Sequence, residues 1–279
     1  MIMLEFSYII KGVDNVKFRK SFMGLMAFAV VGMMLGGCQS KESPKEKETQ
    51  KEVTYKERKV SVDYSKPAEE ILLSYSEKGM NEFKRNFPDK LAMDFALTSI
   101  GKTAPDFEYK NIKGETVKLS ELKGKKVVLD FMRDDCPVCK ESSPTVAKVK
   151  ESYKDVVFLP IFPKDSKEDV EKFFKDLNIE VNENSIAGKD NGDNLSIVKN
   201  YNLKLVPSFV FIDESGKISY TWIGSTDEKI FKDTMDTAFG KNKLYDLIKT
   251  EKVDKNGKVV EEKVEPKKEE ANKESKESK

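Results

Sequence analysis

Apolar runs alternate with segments of helical spacing through the middle of the chain. Strand-like runs occur at residues 127–131, 156–161 and 208–212, with a fourth at 217–223. Helical patterns follow Cys136 as far as Tyr153 and recur at 167–177, 194–201 and 229–239. This alternation ends in two closely spaced strands. It predicts an α/β sandwich with a hairpin at one edge of its sheet.

A shorter helical block precedes this domain, at residues 60–100. Ile71 and Tyr75 have helical spacing after Pro67, and proline is favoured in the first turn of a helix. A second helix is predicted after Pro88. We expect this helical extension to pack onto the main domain or to form a small helical hairpin, with a structural role in either case.

The N-terminal pattern is typical of a secretory signal. Lys17 and Lys20 lead into an apolar run at residues 22–35, which ends in small residues before Cys38. The run is shorter than the about 20 residues that span a bilayer comfortably. Because this ending resembles a bacterial lipobox, we predict that residues 1–37 are a signal peptide and that Cys38 is lipidated. A short membrane anchor with an incidental cysteine is the alternative.

Charged residues, 35% of the sequence, crowd into two stretches around the main domain. Residues 38–59 and 246–279 are rich in Lys and Glu and have little to bury, so a flexible tether and a disordered tail are predicted there. The remaining residues, 101–245, are assigned to the main domain. The net charge of +1 gives no indication of a nucleic-acid partner.

The chain has no histidine and three cysteines, which narrows the chemistry. Catalysis by Ser–His or Cys–His pairs is excluded, and the commonest metal ligand is absent. Cys136 and Cys139 form a C-x-x-C pair directly after the first core strand, at the start of the next helix. A structural zinc site needs four ligands, which these residues do not supply. A thiol–disulfide couple is the better explanation, with a static structural disulfide as the alternative.

The position of the pair predicts a role for each cysteine. At the mouth of the helix, Cys136 is favoured as the nucleophile, because the helix dipole and free main-chain N–H groups stabilise its thiolate. Cys139 lies one turn further along the helix, where it can attack a mixed disulfide at Cys136 and release the partner.

Several ordered segments of residues 101–240 resemble the thioredoxin superfamily, in particular the extracytoplasmic ResA/TlpA-type thiol–disulfide oxidoreductases. Besides the cysteine pair, the matching segments are residues 101–107, 117–125 and 206–213, followed by 216–218. The resemblance implies a thioredoxin-like sandwich with a central mixed sheet flanked by helices. It also implies that no cofactor is needed beyond the redox-active Cys136–Cys139 disulfide.

The resemblance implies further site residues. Pro207 would be a cis-proline beside the disulfide, leaving the main chain of Val206 to pair with an extended substrate. Pro137 and Val138, between the cysteines, would contact the substrate and tune the redox potential. Asp130 would be a buried acid that exchanges protons with the resolving thiol. The alternatives are an ordinary trans turn proline and an acid at the surface end of a strand.

Two positions depart from the family pattern. Instead of aromatic residues, Arg133, Asp134 and Asp135 precede the first cysteine, and the carboxylates and the guanidinium act on its pKa in opposite directions. Ser142 stands where the ResA subgroup has a glutamate.

We therefore predict a membrane-anchored, extracytoplasmic thiol–disulfide oxidoreductase that acts as a reductase on client proteins with cysteines, and is recharged by a membrane electron-donor protein. A peroxiredoxin-like peroxidase is one alternative, although its Pro and Thr positions are occupied here by Leu129 and Arg133. A redox-inert binding lipoprotein of the same fold is another. Copper carriers of this fold use a histidine, which is absent, and no metal site is predicted.

Overall fold

The structure is a computed structural model that describes residues 55–192 and 196–260. The predicted signal peptide, Cys38 and most of the tether lie outside the described residues, as does the tail beyond residue 260. Among the helices that are described, none combines the length and the apolar character needed to cross a membrane.

The described chain contains short strands and helices. The strands are β1 Lys56–Lys59, β2 Glu108–Lys110, β3 Thr116–Lys118, β4 Lys126–Phe131, β5 Val156–Phe162, β6 Ile186–Ala187, β7 Ser208–Ile212, β8 Ile218–Ile223 and β9 Thr250–Val253. The α-helices are α1 Ala68–Leu72, α2 Glu77–Asn86, α3 Lys90–Ser99, α4 Pro137–Lys150, α5 Lys167–Asp176, α6 Ser196–Asn200 and α7 Glu228–Phe239. The four strands and the helices predicted in the main domain are therefore confirmed.

A five-stranded sheet in the order β6-β5-β4-β7-β8 forms the centre of the fold. Strand β4 pairs parallel with β5 and antiparallel with β7, so the sheet is mixed. Helix α4 provides the crossover that parallel β4 and β5 require. Helix α7 packs against β7 and β8, and helix α3 packs against β8. The predicted thioredoxin-like sandwich is thereby confirmed, with the β7–β8 hairpin at one edge.

The central strand β4 is buried over almost its whole length, which explains its continuous apolar sequence. Phe131 at its end and Phe209 and Phe211 on β7 are 0–1% exposed. The ring of Phe231, on α7, lies 5.2 Å from that of Phe209. This aromatic packing fixes the end of β4 from which the chain passes to the cysteines.

The helical extension packs onto the main domain, the first of the two predicted arrangements. A row of rings runs from Tyr75 through Phe83 and Phe87 to Tyr220 on β8, with centroid separations of 4.6, 5.8 and 5.0 Å. The extension has three helices instead of the two predicted. The additional helix, α2, begins at Ser76, whose hydroxyl accepts the N–H of Gly79 at 3.2 Å.

The predicted ends of the tether and the tail need correction. Strand β1 lies inside the predicted tether and β9 inside the predicted tail, and the two pair antiparallel from Lys56↔Val253 to Lys59↔Thr250. The turn at Asn256 and Gly257 then brings Val259 back beside Val253. These strands are almost entirely polar, so neither shows an apolar pattern, and each owes its order to the other.

Candidate active site

The passage from β4 to α4 places both cysteines at one helix end. Cys136 is the N-cap of α4, and its sulfur accepts the main-chain N–H of Cys139 at 3.1 Å. Pro137 occupies the first helical turn, where its missing N–H costs no hydrogen bond. The same N–H group and the helix dipole would stabilise a thiolate at Cys136.

The two cysteines are joined as a disulfide, with their Cα atoms 5.2 Å apart. Cys136 is 9% exposed and Cys139 is 1% exposed, so an incoming thiol reaches the first sulfur more easily. Val138 lies between the two cysteines in the chain, and Leu205 directly precedes Val206. Both are apolar and exposed, with exposed fractions of 39% and 52%. They give the surface around the disulfide an apolar character.

The segment before β7 borders the disulfide. The Val206–Pro207 peptide bond is cis, which is the isomer that the resemblance implied. The carbonyl oxygen of Val206 lies 3.8 Å from the sulfur of Cys136. The N–H of Val206 donates to no other described residue. Val206 thus presents free main-chain groups beside the reactive sulfur.

Asp130 lies within β4 and is 3% exposed, facing Pro160 on β5 and Phe209 on β7 across the sheet. Its Oδ1 has no hydrogen-bond partner among the described residues. Burial raises the pKa of the Asp130 carboxyl well above its usual value, because the charged form loses its hydration. The alternative of a surface acid at a strand end is therefore excluded.

A small cavity of about 50 Å³ connects the surroundings of Asp130 with helix α4. Asp130, Ser143 and the exposed Glu180 are among the residues that line it. The Ser143 hydroxyl donates a hydrogen bond to the carbonyl of Cys139 at 2.7 Å. This volume is enough for a water molecule. The cavity, which is otherwise lined mostly by apolar side chains, lies between the buried carboxyl, the turn that carries Cys139 and the exposed Glu180.

The loop before Cys136 is held by a residue that the sequence did not suggest. Asp165 follows β5, is 6% exposed, and accepts the main-chain N–H of Asp134 at 3.2 Å. Burial raises the pKa of Asp165 to about 6, and the neighbouring Asp134 carboxylate acts in the same direction. Arg133 is paired with Asp135, at 2.5 Å between Nη2 and Oδ2. The sequence signal for Asp165 was absent because its place depends on the parallel register of β4 and β5.

The departure at Ser142 also has a structural counterpart. Ser142 is 2% exposed, and its hydroxyl accepts the main-chain N–H of Thr226 at 3.3 Å. It therefore ties α4 to the loop before α7. No group of three or more Cys, Asp or Glu side chains in the described ranges could hold a metal ion.

Comparison with known proteins finds a family model and several relatives that match the domain. Residues 100–221 match the model of the AhpC/TSA family. The chain is 28% identical to the "Thioredoxin-like protein YneN" of Bacillus subtilis over 136 residues, which cover 49% of this chain and 78% of that one. It is 26% identical to the "Thiol-disulfide oxidoreductase ResA" of Halalkalibacterium halodurans over 145 residues, covering 51% and 79%.

Among solved structures, the chain is similar to a putative thiol:disulfide interchange protein DsbE from Chlorobium tepidum. The two are 25% identical, with a TM-score of 0.44, and the match covers 51% of this chain and 99% of that one. Residues 100–221 form a thioredoxin-like domain that matches the AhpC/TSA family model, and the chain is a thiol–disulfide oxidoreductase.

Proposed function

We propose that the protein is a lipid-anchored, extracytoplasmic reductase that acts on disulfides of client proteins through Cys136 and Cys139. The carrying observation is the unequal exposure of the two cysteines at the N-terminus of α4, with free main-chain groups of Val206 beside the outer one. A static structural disulfide needs neither this asymmetry nor free main-chain groups beside one sulfur.

The proposed cycle has two exchange steps. The Cys136 thiolate attacks a client disulfide, which forms a Cys136–client bond and expels one client thiolate. The Cys139 thiolate then attacks the sulfur of Cys136, which releases the second client thiolate and leaves the Cys136–Cys139 disulfide. Two electrons pass from the protein to the client, and the disulfide form described above is the oxidised end of this cycle.

Asp130 is the proposed acceptor of the Cys139 proton. A thiol must lose its proton before it attacks, and a buried carboxylate with a raised pKa is a suitable base for it. Asp130 and Ser143 line the same cavity, which has room for a water molecule between the carboxyl and the helix. Ser143 is hydrogen-bonded to the carbonyl of Cys139, so this water would lie close to the resolving cysteine. The proton can leave towards the exposed Glu180 on the same cavity.

The reducing direction is supported by the charges around Cys136. Asp134 and the buried Asp165 lie at the loop before it, while the charges of Arg133 and Asp135 compensate each other in an ion pair. Nearby carboxylates disfavour a thiolate and hence the reduced form of the pair, which is the property of a good reductant. Equilibration with dithiol buffers tests this: we expect a reduction potential below about −230 mV, whereas one near about −120 mV would make the protein an oxidant.

The proposed location follows from the N-terminal sequence and not from the described residues. A lipid at Cys38 would keep the domain at the outer face of a membrane, with the charged segment after it as a spacer. On that side a membrane protein must return electrons to the pair, since no cytosolic reductant reaches it. Labelling with a palmitate analogue in cells tests the anchor, and Cys38→Ala is expected to abolish both the label and membrane retention.

The peroxidase alternative finds no support at the site. Leu129 is fully buried in β4 and Arg133 is bound to Asp135, and these are the positions where a peroxide site would have its proline and threonine. Reduced protein mixed with hydrogen peroxide is therefore expected to show slow, non-saturating oxidation. Rapid saturating turnover would favour the peroxidase instead.

A further inference from the structure

A groove borders the disulfide on the side of Val206. It has a volume of about 340 Å³ and an apolar floor that includes Val198, Leu203 and Val206. Val206 connects the groove to the reactive surface, because it lines the groove and its carbonyl oxygen lies 3.8 Å from the Cys136 sulfur. Exposed Leu205 extends its apolar rim.

Among the residues that the structure describes, the charged groups of the groove are all basic. Arg133, Lys164 and Lys204 line it, and no described acidic side chain does. Arg133 is neutralised by its pairing with Asp135. Lys164 and Lys204 are exposed, and neither forms an ion pair with any other residue that the structure describes. The groove therefore carries two uncompensated positive charges around an apolar floor.

The acidic residues near Cys136 are not among those that line the groove. Asp134 and Asp135 belong to the loop that enters α4, and Asp165, next to Lys164 in the chain, is buried with its carboxyl held by the N–H of Asp134. The surface around the disulfide is thus divided into a basic side at the groove and an acidic side at the loop. Such a division favours one orientation and one charge pattern in a bound segment.

We propose that this groove selects client segments in which an acidic side chain lies two residues from the reacting cysteine, and that Lys164 and Lys204 are the specificity-determining residues. The inference rests on the proposed exchange with client proteins. In an extended segment, residues two apart point to the same side. A segment paired with the main chain of Val206 therefore places the cysteine at Cys136 and its second neighbour in the groove. The free main-chain groups and the apolar floor suit a polypeptide better than a small thiol.

The test uses seven-residue peptides with one cysteine held as a mixed disulfide with 5-thio-2-nitrobenzoate. Two series place Glu, Gln or Lys two residues before or two residues after the cysteine. Mixing with the reduced protein releases the coloured thiolate, whose rate of appearance is measured. We expect the Glu peptide of one series to react about five-fold faster than its Lys counterpart at low salt. Because exposed charges are screened, the ratio should approach one in concentrated salt.

The double variant Lys164→Gln/Lys204→Gln should lose the preference, and Lys164→Glu/Lys204→Glu should reverse it. The matched control is Lys78→Gln/Lys84→Gln, which removes two exposed lysines of α2 and should retain the wild-type ratio. Equal rates for all peptides in both series, or a preference unchanged in the groove variants, would overturn the inference and leave the proposed exchange intact. Oxidised glutathione reacting as fast as the best peptide would also overturn it. Failure of every disulfide to react would instead reject the proposed function.

Discussion

The sulfur of Cys136 lies 3.8 Å from the carbonyl oxygen of Val206, although the two residues are 70 positions apart. The contact joins the start of α4 to the segment that enters β7, and it makes a main-chain edge part of the reactive surface. Cys139, one turn further into the helix, has no comparable access to solvent.

Replacement of Cys139 by serine should trap client proteins as mixed disulfides. In Cys139→Ser, Cys136 can still attack a client disulfide but nothing resolves the product, so mixed disulfides should accumulate and be visible on non-reducing gels. In Cys136→Ser, the remaining thiol is 1% exposed and no such species should appear. Equal trapping by the two variants would contradict the division of roles.

Asp130→Asn should slow the resolving step. Loss of the buried base should reduce the rate of Cys139 attack by about 10²-fold, measured as decay of a preformed mixed disulfide at neutral pH. The rate of the first attack, at Cys136, should change much less. A merely structural role of Asp130 would leave the ratio of the two rates as in the wild type.

The same substitution should change how stability depends on pH. Because the pKa of Asp130 is raised in the folded state, the folded protein holds this proton more tightly than the unfolded chain does. The free energy of unfolding of the wild type therefore decreases as the pH rises above the ordinary pKa of the carboxyl. The stability of Asp130→Asn relative to wild type should therefore rise with pH. Denaturant unfolding of the oxidised proteins measures it, and a relative stability that falls with pH would contradict the burial argument.

Asp165 has a defined pH window. The pKa of its carboxyl is about 6 in the folded protein, raised from an ordinary value of 3.8. The stabilisation from its proton is complete below the unfolded pKa and is lost as the pH rises through about 6. Between pH 4 and pH 7 the wild type should lose about 2 kcal/mol relative to Asp165→Asn. An unchanged difference across that window would show that Asp165 ionises normally.

The helical extension should be necessary for stability. Phe83 is fully buried and packs between Tyr75 and Phe87, so Phe83→Ala should cost about 3–5 kcal/mol of unfolding free energy. Leu73→Ala, at a side chain 61% exposed, is the control and should change stability by less than about 0.5 kcal/mol. A small effect of Phe83→Ala would indicate that the extension is only loosely attached.

Strong apolar runs and the cysteine motif made much of the fold predictable. Strands such as β4 and β7 are buried on both faces, and their sequences say so without tertiary information. Helix α2 was missed because most of its ten residues are polar, and one buried ring, that of Phe83, holds it in place. Strands β1 and β9 carry no apolar pattern, so only their mutual pairing reveals them.

Some residues of the site could likewise be predicted from the sequence, and others could not. The cysteine pair, Pro207 and Asp130 came from local motifs and from the family resemblance. Asp165 did not, since its contact with Asp134 exists only when β4 and β5 lie side by side. The basic groove likewise requires the loop after β5 and the segment before β7 to meet, which no spacing along the chain encodes.

The β1–β9 ribbon has a consequence for chain connectivity. Lys56 and Val253, far apart in sequence, are direct cross-strand neighbours. The two ends of the described fold therefore lie side by side, so a short linker can join these two positions. New termini can then be introduced at an exposed turn such as that between β7 and β8. Such a circular permutant keeps the cysteine pair in place and moves the termini to another part of the domain, where it can be attached to a surface in a different orientation.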